Sequence, residues 1–178
     1  MGRVNSWKGQ HDFLKAVNII LEKYSDVYAV FVGAAFDGEE WREKELADAI
    51  AISPYKDRII NKGYRTDSEG IYKLFDVFVL PSTNPDPLPT VVLENMATGN
   101  PIVGYRHGGI CEMVKEGYNG LLAEVKNPKD LAAKIEMLLV DDELRYKMGS
   151  NSRTRLLENF SIESYVKNYS DEYDRLCK

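Results

Sequence analysis

Two short apolar segments constrain the fold of this chain most, because the stretch between them has the pattern of a helix. The segments are DVFVLPS (76–82) and PIVGY (101–105), and TVVLENMAT (90–98) lies between them and ends at Gly99. Strands that are apolar almost throughout are buried on both faces, which is typical of parallel sheets covered by helices. The order strand, helix, strand therefore predicts a βαβ unit with parallel strands.

The same alternation extends over the whole chain. Further strands are predicted at 27–33, 58–64 and 119–124. Further helices are predicted around the apolar face of residues 13–24, at 39–52, 67–75 and 110–116, and in three pieces of the C-terminal stretch, with breaks near Val140 and at Phe160-Ser161. This order predicts one α/β domain over residues 1–178, a Rossmann-like doubly wound parallel sheet with C-terminal helices.

The opening of the chain departs from this pattern. MGRVNSWKG reads as a loop followed directly by a helix, whereas a parallel sheet of this kind normally begins with a strand. We therefore expect the chain to be part of a longer protein, with a first strand or a whole preceding domain upstream.

Composition excludes several classes of function. The net charge of −5 and the lack of a basic run argue against nucleic acid or an anionic membrane surface as a partner. The chain contains no apolar stretch near the ~20 residues of a membrane span. Its two cysteines, Cys111 and Cys177, favour a reducing, cytoplasmic location, and Cys111 is expected to be buried. No cluster of residues has the spacing of a metal site, so no metal is expected.

A proline-rich loop before the helix at Thr90 is the strongest candidate for a site. Proline at 85, 87 and 89 restricts the loop before any ligand arrives, so less entropy is lost on binding. The start of a helix suits phosphate, and carboxylates such as Asp86 and Glu94 suit paired hydroxyls. The two acids stand before and inside the helix, which matches a ribose–diphosphate–hexose ligand. Arg3 and Lys8 are candidate counter-charges. The alternative is that Arg3 and Lys8 are solvated surface cations, as such loop residues usually are, and that Asp86 and Glu94 are a turn residue and an exposed helix position.

Three quoted segments carry a resemblance to a known family. They are GRVNSWKG (2–9), the long run from DVFVLPSTNPDPLPT to GYNGLL (76–122), and FSIESYVKNYSDEYDRL (160–176). Together they resemble the C-terminal, donor-binding half of retaining glycosyltransferases of the GT-B fold, the family-4 enzymes known as glycosyl transferases group 1. The resemblance covers nearly the whole chain, with the motifs in the same order.

The resemblance implies roles for individual residues. Arg3 and Lys8 would bind the donor diphosphate, Glu94 the ribose hydroxyls and Asp86 the hydroxyls of the transferred sugar. The remaining expected contacts are Gly63, Tyr64 and Arg65 beside the nucleobase, the backbone of Leu88 or Thr90 on the donor, and His107 near the strand end.

The motif departs from the commonest family pattern at two points. Asp86 stands where the family usually has glutamate, and Leu88-Pro89 stands where it often has Phe-Gly. Because proline has no N–H, a donor contact made by that glycine would have to come from Leu88 or Thr90. The identity of the sugar is left open by these changes.

The implied function is transfer of a sugar from a nucleoside diphosphate donor with retention of anomeric configuration, without a cofactor or metal. The acceptor, a glycan or glycolipid, would bind to an N-terminal domain absent from this chain. The isolated chain is then expected to be inactive, and peripheral membrane association of the full-length protein stays open.

A non-catalytic interaction module with the same fold is the alternative. A dinucleotide-dependent oxidoreductase is disfavoured, because VGAAFDGEE lacks the G-x-G-x-x-G pattern.

Overall fold

The computed structural model describes residues 1–177 and shows strands alternating with helices. The five strands are β1 (Ala29–Phe31), β2 (Ile59–Asn61), β3 (Phe78–Leu80), β4 (Ile102–Tyr105) and β5 (Gly120–Ala123). The helices are α1 (Gln10–Lys23), α2 (Trp41–Ala51), α3 (Ser68–Tyr72), α4 (Thr90–Thr98), α5 (Ile110–Met113), α6 (Pro128–Leu139), α7 (Asp142–Asn159) and α8 (Ile162–Leu176), with a 3₁₀ turn at Lys56–Arg58.

All strand pairs are parallel, but they form two separate pieces of sheet. β1 pairs with β2, and β3, β4 and β5 form a three-stranded piece in that order. In the centre of the larger piece, Val103 lies opposite Val79 on one side and Leu121 on the other. The predicted α/β fold with parallel strands is confirmed, while the predicted strands are each longer than the observed hydrogen-bonded segments.

Helices cover both faces of the three-stranded piece. Val103 and Tyr105 of β4 pack on one face with side chains of α1 and α6, and Ile102 packs on the other face with side chains of α3, α4 and α5. Every residue of β4 and β5 is buried. Burial on both faces explains why these segments are apolar almost throughout. The doubly wound arrangement predicted from the sequence is therefore present.

The helix predicted at 110–116 is shorter than expected, and the prediction of its end at Gly117 was wrong. It ends at Met113, and Val114 is already extended. The Arg155 guanidinium donates to the Met113 and Glu112 carbonyls, at 2.8 and 2.6 Å, and the buried Asn119 side chain also donates to Met113. These partners lie elsewhere in the chain and satisfy the carbonyls that a longer helix would have used.

The C-terminal stretch forms three helices with breaks where they were predicted. The side chains of Asp141 and Ser161 cap α7 and α8 by accepting from the backbone N–H groups of Leu144 and Ser164. Lys178, the last position of the predicted third piece, lies outside the described residues. Among residues 1–177, no helix is both long enough and apolar enough to cross a membrane.

No residue of α8 is buried. Tyr165, Tyr169 and Tyr173 follow one another along one side of this helix and are 59%, 53% and 66% exposed. Cys111 is also exposed, as is Cys177, so the prediction that Cys111 is buried was wrong.

Candidate functional site

The segments that follow the strands meet at the carboxyl edge of the sheets, where open α/β folds bind their ligands. Gly33 follows β1 and donates its N–H to the carbonyl of Gly63, which follows β2. The proline loop follows β3, and His107 follows β4. The chain between Gly2 and Gly9 runs along this edge, because the Gly2 N–H bonds to Val32 and the Gly9 backbone packs against Pro81.

Lys8 and Asp86 form an ion pair at this edge. The Lys8 ammonium lies 2.6 Å from the Asp86 Oδ2, and both side chains are only 16% exposed. Residues 78 positions apart in sequence are thus brought together. The Lys8 ammonium also lies 4.5 Å above the Trp7 ring. The structure therefore places one of the two predicted cations and one of the two predicted acids in direct contact.

Local hydrogen bonds hold the loop that carries Lys8. The Asn5 side chain accepts from the N–H groups of Trp7 and Lys8, at 3.1 and 2.8 Å, and so forms a tight turn. The Trp7 carbonyl accepts from the Thr83 N–H at 2.7 Å, which ties this loop to the proline loop. Gly9 has a φ of +74°, and any Cβ there would overlap the Pro81 carbonyl. This close approach explains the glycine before α1.

The proline loop delivers Asp86 to the start of α4. The carboxylate accepts from Lys8 and, through Oδ1, from the Leu88 N–H at 3.3 Å. The Leu88 N–H is therefore already engaged. Val92 donates to the Pro89 carbonyl, while helix geometry leaves the N–H groups at the very start, such as that of Thr90, without intrahelical acceptors. Of the two backbone donors predicted to replace the family's glycine, Thr90 is the one that remains available.

Glu94 lies one turn inside α4, on its exposed side. Its Oε2 accepts a hydrogen bond of 2.9 Å from the hydroxyl of Tyr72, a residue that is 1% exposed. Burial and the neighbouring Glu94 charge raise the pKa of Tyr72, so its hydroxyl remains a proton donor. The buried Tyr72 hydroxyl thus orients Glu94 from the protein interior, while Glu94 itself is exposed to solvent.

His107 and the glycines after it pack against the proline loop. The His107 Nε2 lies 2.6 Å from the Ser82 carbonyl oxygen. The Gly109 N–H donates to the Asp86 carbonyl at 2.8 Å, and a Cβ on Gly108 would lie 2.8 Å from the same oxygen. The two glycines therefore allow two loops to approach each other, and this contact fixes the backbone of Asp86.

The structure does not join every predicted residue to this group. The Arg3 guanidinium stacks over the Phe36 ring, 3.6 Å from its centroid. Arg65 forms a salt bridge with Asp67 at 2.7 Å, and Tyr64 beside it is 73% exposed. These residues belong to the same edge of the molecule, but Arg3 and Arg65 contact their own neighbours, Phe36 and Asp67. Their predicted roles stay predictions.

Two residues in the arrangement were not singled out by sequence analysis. Tyr72 orients Glu94 from 22 positions away, and no local pattern identifies such a partner. The buried hydroxyl of Ser82 lies beside Asp86 and His107 and has no hydrogen-bond partner in the described part of the chain. By contrast, the Asn5 turn has a readable signal, since Asn before a short polar loop favours a side-chain turn.

The arrangement is suited to a ligand that is anionic in one part and rich in hydroxyls in another. A cation and a helix start offer positive charge, and two carboxylates flank that start. Within residues 1–177, no three metal-binding side chains of the types His, Cys, Asp and Glu are grouped closely enough to hold an ion.

Comparison with known proteins identifies relatives of this chain. Residues 1–155 match the family model described as Glycosyl transferases group 1. Spore coat protein SA of Bacillus subtilis is 32% identical over 179 residues, which covers 98% of this chain and 48% of the relative. The N,N'-diacetylbacillosaminyl-diphospho-undecaprenol alpha-1,3-N-acetylgalactosaminyltransferase of Campylobacter jejuni is 38% identical over 174 residues, covering 96% of this chain and 42% of that enzyme. The chain spans about half the length of these curated relatives.

Solved structures agree with this relationship. Anabaena HepE in complex with UDP-glucose superposes with a TM-score of 0.88 at 27% identity, covering 98% of this chain and 47% of HepE. The C-terminal domain of the glycosyl transferase LpcC from Francisella tularensis superposes with a TM-score of 0.79 at 31% identity, covering 91% of this chain and 84% of that domain. The family match over most of the chain and these superpositions lead to one conclusion. The chain belongs to the glycosyl transferases group 1 family and has the fold of one half of a GT-B enzyme.

Proposed function

We propose that this domain binds a nucleoside diphosphate sugar at the carboxyl edge of its sheets and is the donor-binding half of a retaining glycosyltransferase. The observation that carries this proposal is the Lys8–Asp86 pair at 2.6 Å, largely shielded from solvent and directly before the start of α4. A shielded cation beside a helix start is a strong site for phosphate, because both charges act in a region of reduced dielectric.

The carboxylates support the placement of the rest of the donor. Glu94 lies inside α4 and is oriented by Tyr72, so it can accept hydrogen bonds from the ribose hydroxyls. Asp86 lies on the other side of the helix start and can accept from hydroxyls of the sugar. Each such bond to a charged acceptor contributes roughly 1.5–3 kcal/mol. We place the nucleobase near Gly63 and Tyr64, beyond β2.

In the proposed reaction, an acceptor hydroxyl oxygen bonds to the anomeric carbon as the bond from that carbon to the diphosphate oxygen breaks. The diphosphate leaves with the electron pair of the broken bond and takes up the proton that the acceptor hydroxyl loses. When the donor binds, Lys8 shifts from Asp86 toward the phosphates, Arg3 joins it, and the Thr90 N–H donates at the helix start. These groups stabilise the charge that develops on the leaving group. Asp86, released from Lys8, holds the sugar. Retention of configuration rests on the family resemblance described above.

The relatives support a UDP-linked donor. HepE was determined with UDP, with UDP and glucose, and with UDP-glucose. We propose that the acceptor is a glycan or glycolipid bound by a second domain, and that the protein works without a cofactor. We place it in the cytoplasm, because its two cysteines are exposed thiols, which a reducing compartment preserves.

Calorimetry with matched nucleotides tests this proposal. If Lys8 binds the diphosphate, UDP or GDP should bind on the order of tenfold more tightly than UMP or GMP, and Lys8→Ala should remove that preference. Lys44→Ala is the matched control, since Lys44 pairs with Asp48 on the exposed side of α2. Equal affinities for mono- and diphosphates in the unmodified chain, or equal effects of the two substitutions, would contradict a phosphate-binding role for Lys8. Lys8 and Asp86 would then be an ordinary surface ion pair.

A non-catalytic interaction module is a second candidate, favoured by α8. Apolar side chains form a continuous exposed stripe along this helix, at Ile162, Tyr165, Val166, Tyr169 and Tyr173. Such a stripe is typical of a helix that packs against a partner. This function predicts that none of the four nucleotides binds, so the same titration distinguishes the two candidates.

A further inference from the structure

The two ends of the Lys8–Asp86 ion pair are held to different degrees. The Asp86 backbone is fixed on both sides, because its carbonyl accepts from the Gly109 N–H at 2.8 Å and prolines stand at 85 and 87. The Asp86 Oδ1 also accepts from the Leu88 N–H at 3.3 Å, within the same loop. The position of the Asp86 carboxylate is therefore set by its own loop and by the glycine packed against it, rather than by Lys8.

Lys8 has the greater freedom of the two. Its ammonium carries three N–H donors, and one of them bonds to the Asp86 Oδ2 at 2.6 Å. The same ammonium lies 4.5 Å from the centroid of the Trp7 ring. The Asn5 turn fixes the backbone of Lys8 but not its flexible four-carbon side chain. Lys8 can therefore turn from Asp86 to another anion while both loops stay in place.

The phosphates of a ligand at this edge have to compete with Asp86 for Lys8. Lys8 brings one positive charge to the start of α4, whereas Asp86 and Glu94 bring two negative charges. The Arg3 guanidinium is engaged at the Phe36 ring, 3.6 Å from its centroid. An incoming phosphate thus meets a cation that a carboxylate already neutralises at 2.6 Å. Because both side chains of the pair are only 16% exposed, solvent screens this competition weakly.

A sugar on the diphosphate changes the outcome of this competition. In the proposed donor complex, Asp86 exchanges the Lys8 ammonium for sugar hydroxyls, which donate to the carboxylate and replace the hydrogen bond that it gives up. A nucleoside diphosphate without a sugar offers Asp86 no such donors, and it brings further negative charge close to the carboxylate. A largely shielded carboxylate without a partner is unfavourable. Binding of the free diphosphate therefore carries a cost that binding of the donor avoids.

We propose that Asp86 is an internal competitor for Lys8 and makes the site discriminate between a nucleoside diphosphate sugar and the free nucleoside diphosphate, an inference that rests on the donor-binding function proposed above. The donor releases Lys8 because its sugar satisfies Asp86. Once the sugar has passed to the acceptor, Asp86 recovers Lys8, and the diphosphate loses a counter-charge. The ion pair therefore favours release of the product and its replacement by a new donor.

Asp86→Asn tests this proposal by calorimetry with UDP and UDP-glucose, or with GDP and GDP-mannose if the chain binds guanine nucleotides. Asparagine matches aspartate in size and keeps an oxygen that can accept from the Leu88 N–H, but it does not neutralise Lys8. The free diphosphate should therefore bind roughly fivefold more tightly to Asp86→Asn than to the unmodified chain. The nucleotide sugar should gain less, because the amide also weakens the contact with the sugar, so its advantage over the free diphosphate should shrink.

Two controls separate competition for Lys8 from simple repulsion between Asp86 and phosphate. Asp48→Asn removes one negative charge from another lysine pair, Lys44–Asp48 at 2.7 Å on the exposed side of α2, and should leave the affinity for the diphosphate unchanged. In a Lys8→Ala background, Asp86→Asn should tighten diphosphate binding by less than about twofold, because no Lys8 ammonium is left to release. Thermal unfolding shows that each variant is folded, and Asp86→Ser replaces Asp86→Asn if the latter is not.

The outcomes separate this competition from the donor-binding function itself. Tighter diphosphate binding in Asp86→Asn that is lost in the Lys8→Ala background supports the competition. Unchanged or weaker binding in Asp86→Asn, together with weaker binding in Lys8→Ala, overturns it and leaves the donor-binding function in place. Equal tightening in both backgrounds also overturns it, since repulsion alone would then explain the effect. If neither UDP nor GDP binds any of these proteins, the proposed function is wrong, and Asp86 competes with no ligand.

Discussion

Replacing Gly109 by alanine tests the claim that the close contact of Gly108 and Gly109 with the proline loop positions Asp86. Gly109 has an ordinary φ of −63°, so its backbone angles do not require glycine. A Cβ at this position would instead overlap the Pro87 carbonyl oxygen and lie 3.2 Å from the Asp86 carbonyl. Both of these atoms are backbone, in a loop that three prolines stiffen, so they cannot turn away as a side chain would.

The expected cost follows from these contacts. The proline loop has to retreat by about 1 Å to restore ordinary van der Waals separation, and overpacking of this kind costs about 1–3 kcal/mol. Weakening of the Gly109–Asp86 hydrogen bond adds about 1 kcal/mol, while the lower entropy of the unfolded alanine chain offsets about 0.4–1 kcal/mol. The net loss is about 2 kcal/mol, which at about 2–4 °C per kcal/mol lowers the melting temperature by roughly 6 °C.

Thermal unfolding of Gly109→Ala and Gly70→Ala measures this effect with a matched control. Gly70 lies exposed in α3, and a Cβ there would meet no atom within 4 Å. Alanine should therefore stabilise the chain at Gly70, by about 0.5–1 kcal/mol, and destabilise it at Gly109. A Gly109→Ala protein that melts with the unmodified chain would refute the argument that this contact holds Asp86.

The other predictions concern the site, the chain start and the reaction. Glu94→Gln should weaken UDP or GDP binding, measured by calorimetry, by about 1–3 kcal/mol without changing the melting temperature. The control Glu172→Gln on α8 should leave nucleotide affinity unchanged. Unchanged affinity in Glu94→Gln would exclude a contact between Glu94 and the ribose. Tyr72→Phe should lower the free energy of unfolding by about 1–3 kcal/mol and should also weaken nucleotide binding, because it removes the hydroxyl that bonds to Glu94. A loss of stability with unchanged nucleotide affinity would show that this hydroxyl does not orient Glu94. Because the folded chain holds the Met1 amino group at a pKa of about 6, below its usual 8.0, the unfolded chain binds more protons between these values. Stability should rise as the pH increases from about 6 to about 8, by up to roughly 2–3 kcal/mol, and an N-acetylated chain with the same slope would contradict this cause. Finally, the isolated chain should transfer no sugar from a radiolabelled donor, whereas a longer protein with an acceptor domain should. The reason is that aligning donor and acceptor can lower the activation barrier by ~7–11 kcal/mol. Comparable turnover by both proteins would reject the proposal that this chain is half of an enzyme.

Local sequence patterns predicted most of the fold. Apolar runs of strand length, amphipathic helical segments and their caps depend on neighbours within a few residues, so the order of elements and the breaks before α7 and α8 were readable. The start of α4 at Thr90, with Asp86 before it and Glu94 inside it, was readable for the same reason. The family was recognisable because its motifs are also local and occur in order.

Long-range contacts decided the rest. The end of α5 at Met113 depends on Arg155, and the orientation of Glu94 depends on Tyr72. The sequence marked Lys8 and Asp86 as charges, but only the folded chain shows that they form a pair. Each of these features joins residues distant in the chain, and their partners are determined by how the elements pack in space rather than by any local pattern.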